Sequence, residues 1–310
     1  MSALVRTAAA LCVAFALRLP AAHAAVTVSD DLGSRITLPH AARRIVSLAP
    51  GVTEMLFAAG AGAAVIATVE YSDDPPAARR VPRIGDAAAI DMERVVALHP
   101  DVVIVWPEGG NPAQIAQVER IGVPVYRERV DAFSEFPDSL RRLGALAGTE
   151  AAAERAARAL EARLNELTSR YGGGKPVSAL LQIWDRPIYT VGGKHLMSDA
   201  LRLCGATNIF ADLKEAAPVV DIEAVIARNP DIIIAASPPG AARAWLDDWR
   251  GFGTLKAVRG DALIAFEDQR LSGLGPSALD ATSALCQLIK DKRDTHEDGP
   301  PKLSRSGELP

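Results

Sequence analysis

One segment of this sequence is written twice. The run E-R-V-V-A-L-H-P-D-V-V-I-V at positions 93–105 returns 130 residues later as E-A-V-I-A-R-N-P-D-I-I-I-A at 223–235. Each copy reads as a short helix that stops before a proline, Pro100 or Pro230, because the ring cannot continue helical hydrogen bonding. An aspartate and four apolar residues follow. A short continuous apolar run suits a strand of a parallel sheet covered on both faces. The period is too long for a solenoid, whose units run to roughly 20–50 residues. The repeat therefore predicts two similar lobes of alternating strands and helices, an α/β chain. Length agrees, since 310 residues exceed what one hydrophobic core usually organises.

The first lobe is predicted over 25–148, with strands at 44–48, 64–68, 102–105 and 123–126 and helices near 53–59 and 112–121. The second, over 173–290, has strands near 178–183, 232–235 and 262–266. Between them, residues 149–171 are rich in strong helix formers and contain neither Gly nor Pro. Thr149 is placed to cap this helix, and the glycines at 172–174 end it. At 1.5 Å per residue it is about 34 Å long, enough to brace both lobes. The segment 149–172 is read as the linker, and the polar, Pro/Gly-rich 291–310 as a disordered tail.

The N-terminus has Arg6, an apolar stretch over 7–17 and Ala22-His23-Ala24. This is the pattern of a secretory signal over 1–24, cleaved after Ala24. Arg18 interrupts the apolar run well short of the ~20 residues that span a bilayer. Removal of the leader, with Arg6 and Arg18, leaves 32 basic against 38 acidic residues. Such a balance argues against a nucleic-acid partner, which needs a basic surface. The expected location is the periplasm. The leader also takes Cys12, leaving Cys204 and Cys286, each after an apolar helical stretch. In an oxidising compartment a bridge between them is favoured over two free thiols.

Catalytic signatures are missing. There is no G-x-x-x-x-G-K-[ST], H-E-x-x-H or G-x-S-x-G. Gly273-Leu274-Gly275 opens a G-x-G-x-x-A match, but Pro276 removes an amide that a phosphate would need. His40, His99, His195 and His296 are scattered, so no metal site is expected. No cofactor is expected either.

In α/β lobes, ligands sit beyond the carboxyl ends of strands. Only 5% of the chain is aromatic. Yet Tyr71, Trp106, Trp184 and Tyr189 all follow predicted strands, with Asp73, Arg186 and Arg270 close by. Aromatic faces with polar edges suit a large, flat, partly polar ligand.

The run Y-S-D-D-P-P at 71–76, D-M-E-R-V-V-A-L-H-P-D at 91–101 and W-P-E-G-G-N at 106–111 resembles the periplasmic cobalamin-binding proteins of ABC importers. The likeness continues through T-V-G-G at 190–193 and L-C-G-A-T-N-I-F at 203–210, and covers about residues 43–290. It implies two Rossmann-like lobes joined by a single long helix, with the ligand cleft between lobes and limited hinge motion. It further implies that Tyr71, Trp106 and Tyr189 line the cleft, and that Cys204 and Cys286 form a disulfide. Glu93 and Glu223, one per lobe, would dock onto a membrane permease. A solvated carboxylate at a helix start is the bland alternative for each.

Departures from the family pattern fall on the cleft floor. Ala87 and Ala217 stand where tryptophans are expected, Ile183 where a Phe is, and Gln269 and Gly273 in place of an Asp and an Arg. Trp184, Arg186 and Arg270 are positioned to compensate. The reading is a monomeric, non-enzymatic binding protein for cobalamin or a related corrinoid. The same fold also serves haem and ferric siderophores. Haem needs an axial ligand, for which Tyr71 is the first candidate and His195 a weaker one. A secreted α/β enzyme is the remaining reading, and it lacks a clustered nucleophile and base.

Overall fold

A computed structural model describes residues 25–86 and 89–297. Residues 1–24, read above as a secretory signal, and the chain beyond 297 lie outside the described residues. The chain opens with an antiparallel hairpin that the sequence reading did not anticipate, β1 (Val26–Ser29) and β2 (Arg35–Leu38). Its alternation turns Val28, Ile36 and Leu38 into the core. The Asp30 carboxylate accepts from the amides of Leu32 and Ser34 at 3.1 and 2.7 Å and shapes the turn.

The first lobe follows as β3 (Ile45–Ser47), α1 (Pro50–Ala58), β4 (Val65–Ala67), α2 (Met92–Ala97), β5 (Val102–Val105), α3 (Pro112–Arg120), β6 (Val125–Arg127) and α4 (Phe136–Ala147). Helix α5 (Glu150–Tyr171) comes next. The second lobe begins with β7 (Val177–Gln182), β8 (Ile188–Tyr189), α6 (Leu196–Leu203), β9 (Ala206–Asn208) and β10 (Val219–Val220). It ends with α7 (Ile222–Arg228), β11 (Ile232–Ala236), α8 (Ala242–Arg250), α9 (Lys256–Arg259), β12 (Leu263–Phe266) and α10 (Ser277–Glu297).

The two main sheets share one plan. One runs β4-β3-β5-β6 and the other β9-β7-β11-β12, with every pair parallel. In order of appearance both read 2-1-3-4. A separate two-stranded ribbon pairs β8 with β10.

The repeated motif has the same job in each lobe. Asp91 and Asp221 cap α2 and α7, accepting from the amides of Arg94 and Ala224 at 2.9 and 2.7 Å. Both helices end before residues in the left-handed region, His99 (φ 43°) and Asn229 (φ 44°). The Asp101 carboxylate then accepts from the amides of Arg43 and Arg44 at 2.8 and 2.9 Å, tying the start of β5 to the segment entering β3. Asp231 accepts from the amide and hydroxyl of Ser178 at 2.9 and 2.6 Å, tying β11 to β7.

Helix α5 buries Ala153, Ala157, Leu160, Leu167 and Tyr171 along one stripe. It packs on α4 of the first lobe and touches α6 and α10 of the second. Arg163 pairs with Asp280 of α10, and the Tyr171 hydroxyl donates to Gln287 at 3.1 Å. Thr149 does not cap it. Its hydroxyl instead donates to the Ala59 carbonyl at 2.7 Å, anchoring the helix start to the end of α1.

Cys204 and Cys286 are disulfide-bonded, with Cα atoms 4.5 Å apart, which fixes the end of α6 to α10. Helix α10 continues to Glu297, so residues 291–297, expected in the tail, are helical. Buried Arg293 explains the extension, since its guanidinium donates to the Gly173 carbonyl at 3.2 Å. One buried core runs through both lobes, from Val28 and Leu56 through Leu160 to Leu285 and Ile289. Each lobe also has a smaller core of its own.

Candidate functional site

A 2-1-3-4 sheet reverses direction between its first and third strands, and ligands collect outside the carboxyl ends there. Here the segments that follow β3 and β12 meet at one junction. At the start of α1, after β3, Gly51 lies against Leu274, beyond β12. The Glu54 carboxylate of α1 accepts from the amide and hydroxyl of Ser277 at 2.5 and 2.8 Å. A Cβ on Gly275 would come within 2.1 Å of Glu54 Oε2, so this clasp requires glycine. Burial lifts the Glu54 carboxyl above its ordinary pKa, with the two Ser277 bonds pulling the other way. A second clasp runs from the Phe133 amide to Asp199 Oδ2 at 2.8 Å.

On the first-lobe side, the loop carrying Tyr71 is pinned from within. Ser47, Thr53, Thr68 and Ser72 form a buried chain of hydroxyls, with successive contacts of 2.7, 2.6 and 2.9 Å. Arg83 donates to the Ser72 carbonyl at 2.8 Å and to Asp73 at 3.0 Å. Tyr71 rides on this braced loop in a left-handed conformation (φ 65°) and is 82% exposed. Trp106 is half-buried against the shared core. A Cβ on Gly109 would come within 2.0 Å of the indole, so the W-x-x-G spacing lets the loop fold back over the ring. Asn111 then caps α3 through the Ala113 amide at 3.0 Å.

On the second-lobe side, Arg270 pairs with Asp268 at 2.6 Å. It also lies within electrostatic reach of Asp74, three residues beyond Tyr71. The structure thus brings Arg270 toward Asp74 of the Tyr71 loop, while Asp73 is turned to Arg83. Tyr189 is half-buried in β8, opposite Val219 of β10. Trp184 is 53% exposed, with its ring edge against Trp245 at 6.4 Å. Arg186 is drawn toward α8, pairing with Asp248 at 2.8 Å and Asp185 at 3.1 Å. Ile183 joins the shared core, Gln269 and Ala217 are exposed, and Ala87 lies outside the described residues.

Trp245 and Trp249 of α8 went unread in the sequence. Their i, i+4 spacing on one helix face was the available signal. The Trp249 indole donates to Gln182 at 2.7 Å, which locks α8 to the end of β7. Glu93 and Glu223 sit in the first turns of α2 and α7, both exposed. Neither carboxylate has a bonded partner among the described residues. His195, the weaker haem-ligand candidate, caps α6 instead, its Nδ1 accepting from the Met197 amide at 3.1 Å. Burial holds its pKa below the ordinary value. Among the described residues no group of three His, Cys, Asp or Glu side chains is arranged to hold a metal ion. None of their helices is long and apolar enough to cross a membrane.

The sequence matches the family described as periplasmic binding protein over residues 45–264. The chain belongs to that family. It is 32% identical over 257 residues to the vitamin B12-binding protein of Vibrio cholerae, covering 83% of this chain and 92% of that one. The fold agrees with the crystal structure of the periplasmic vitamin B12-binding protein BtuF of Vibrio cholerae. The TM-score is 0.73 at 32% identity, with 82% of this chain and 98% of that one covered. It also resembles the periplasmic haem-binding protein RhuT of Roseiflexus sp. RS-1. There the TM-score is 0.66 at 26% identity, with 81% of this chain and 98% of that one covered. This periplasmic binding protein has the two-lobe α/β architecture that its repeat predicts.

Proposed function

We propose that this chain is an exported, monomeric binding protein that captures cobalamin or a related corrinoid between its lobes. It delivers the ligand to the permease of an ABC importer and performs no chemistry. The observation that carries this reading is the identity to a vitamin B12-binding protein over nearly the whole length of both chains. The junction fits the ligand's chemistry. A corrin ring is broad, flat and edged with amides. Tyr71, Trp106 and Tyr189 supply apolar faces, with Trp184 at the margin, while Asp73 and Arg270 supply polar contacts. Arg186 is held toward α8 by Asp248. The small side chains at Ala87 and Ala217 favour a corrinoid whose lower ligand differs from that of cobalamin. Glu93 and Glu223 are the docking points.

Calorimetry of the leaderless chain with cyanocobalamin and cobinamide tests the reading. Saturable binding of either is expected, and no heat with no thermal shift at saturating corrinoid would reject it. Haem is the second reading, favoured by the haem-binding relative and by the exposed Tyr71 phenol. A Soret band on adding hemin, lost in Tyr71→Phe, would replace the corrinoid assignment.

A further inference from the structure

The second lobe holds a cavity of about 470 Å³ at the end of its sheet opposite the interlobe junction. Val177 and Ile232, the first residues of β7 and β11, form its apolar wall. Lys175, Lys256, Arg259 and Arg293 line it against one carboxylate, that of Asp231. In a chain with 34 basic and 38 acidic residues, this is a local excess of three positive charges, four less one. Asp231 is already engaged, by Ser178 and by Lys256 at 3.3 Å. Lys175 and Arg259 have no bonded partner among the described residues. Arg293 is the deepest of the four, 8% exposed. Its guanidinium is seated between Gly174 and Gly205, where a Cβ would lie 3.5 and 3.1 Å from it. It donates to the Gly173 carbonyl at 3.2 Å, and among the described side chains no carboxylate pairs with it.

We infer that this cavity is a second binding site, selective for a phosphate monoester. A buried guanidinium without a carboxylate is costly until another anion offsets it. Its five N–H donors exceed what one carbonyl can take. A carboxylate ligand would neutralise only one of the three surplus charges. A phosphate monoester brings about −1.5 to −2 near pH 7, with three acceptor oxygens. The forked donors of Arg259 and Arg293 match those oxygens, and the two lysines add point charges. The volume falls within the roughly 300–1,000 Å³ of small-molecule sites. The wall of Val177 and Ile232 leaves part of that space to an organic remainder. The ligand is then an organic phosphate, free in solution or as the headgroup of an anionic lipid. Because the cavity lies at the amino ends of β7 and β11, it can be filled whatever cargo the junction holds.

Two measurements on the leaderless chain test the site: calorimetry with glycerol 3-phosphate, and co-sedimentation with phosphatidylcholine vesicles with and without phosphatidic acid. The two probes carry the same monoester, one free and one membrane-bound. Saturable binding of at least one is expected, weakened roughly tenfold or more when Lys175→Gln and Arg259→Gln are combined. Both side chains are exposed, so the pair should fold, and an unchanged circular dichroism spectrum checks this. Lys194→Gln combined with Lys214→Gln removes two exposed lysines elsewhere on the lobe and should leave binding unchanged. Binding of glycerol 3-phosphate without vesicle binding assigns a soluble ligand to the site. Vesicle binding that needs phosphatidic acid and is lost in the Lys175, Arg259 pair assigns a lipid headgroup. Failure of the wild-type chain to bind either probe would overturn the site. Binding retained by the Lys175, Arg259 pair would overturn it as well. So would an equal loss in the Lys194, Lys214 pair, which would mark diffuse surface charge instead of a cavity.

Discussion

The two lobes share a sheet order and a capped helix–strand motif, yet they place their aromatic side chains differently. In the first lobe, Tyr71 and Trp106 stand singly on strand-end loops, one braced by buried hydroxyls and the other by Gly109. In the second, aromatic residues gather. Trp184 meets Trp245 at 6.4 Å and Trp249 meets Phe252 at 5.9 Å, and Trp245, Trp249 and Phe252 line one cavity with the start of α7. The second lobe alone has the disulfide. The difference separates two tasks. The repeated motif builds the framework, through caps and aspartate ties that are the same in both copies. The unrepeated loops then set each lobe's face, isolated anchors on one side and a packed cluster on the other.

The largest effect should come from the bridge. It closes a separation of 82 residues, and replacing both cysteines by serine should lower stability by about 4 kcal/mol. Because one core runs through both lobes, urea unfolding followed at Trp106 and at Trp249 should shift together. Separate transitions would show that the lobes are independent units. Next, Trp106→Ala should weaken corrinoid binding by about 2 kcal/mol, roughly 30-fold, and Tyr189→Ala by about 1 kcal/mol. Calorimetry showing the reverse order would move the main anchor to the second lobe.

Of the same order as the Tyr189 loss are the framework ties. Asp101→Ala and Asp231→Ala should each cost about 1–2 kcal/mol by denaturant titration, and similar values would support the equivalence of the two motifs. A pH dependence also comes from one buried carboxyl of the first lobe. Burial, reinforced by Asp31, holds the Glu128 carboxyl well above its ordinary pKa. The folded state therefore keeps a proton that the unfolded chain releases. The associated stability is full below the unfolded pKa and is lost as pH rises through the folded one. Glu128→Gln should flatten that decline above the ordinary carboxylate range, read as stability against pH.

Much of the framework is legible in the sequence because its signals are local. β5 falls where the apolar run predicts it, and α5 starts one residue after Thr149. Capping by Asp91 and Asp221 was equally local but lay two residues before the repeat as first delimited. What escaped depends on distant partners. Strands β8 and β10 are two residues each and pair with one another across 30 residues of chain. Helix α8 is short and heavily charged, so its buried Trp245 and Trp249 emerge only when β7 presents Gln182. At the site, the order of strands and loops could be read. The direction of Arg186 could not, since it is set by Asp248, 62 residues away.

Helix α10 has a consequence for the order in which this molecule can be completed. A chain made from its amino end forms both sheets before α10 exists. That last segment supplies Ser277 to the interlobe clasp, Cys286 to the bridge and Arg293 to the turn after α5. Until it arrives, the shared core lacks Leu279, Leu285 and Ile289, and α6 presents an open apolar flank. Without α10 the protein is therefore two half-finished lobes, and a truncation near 276 would preserve that state.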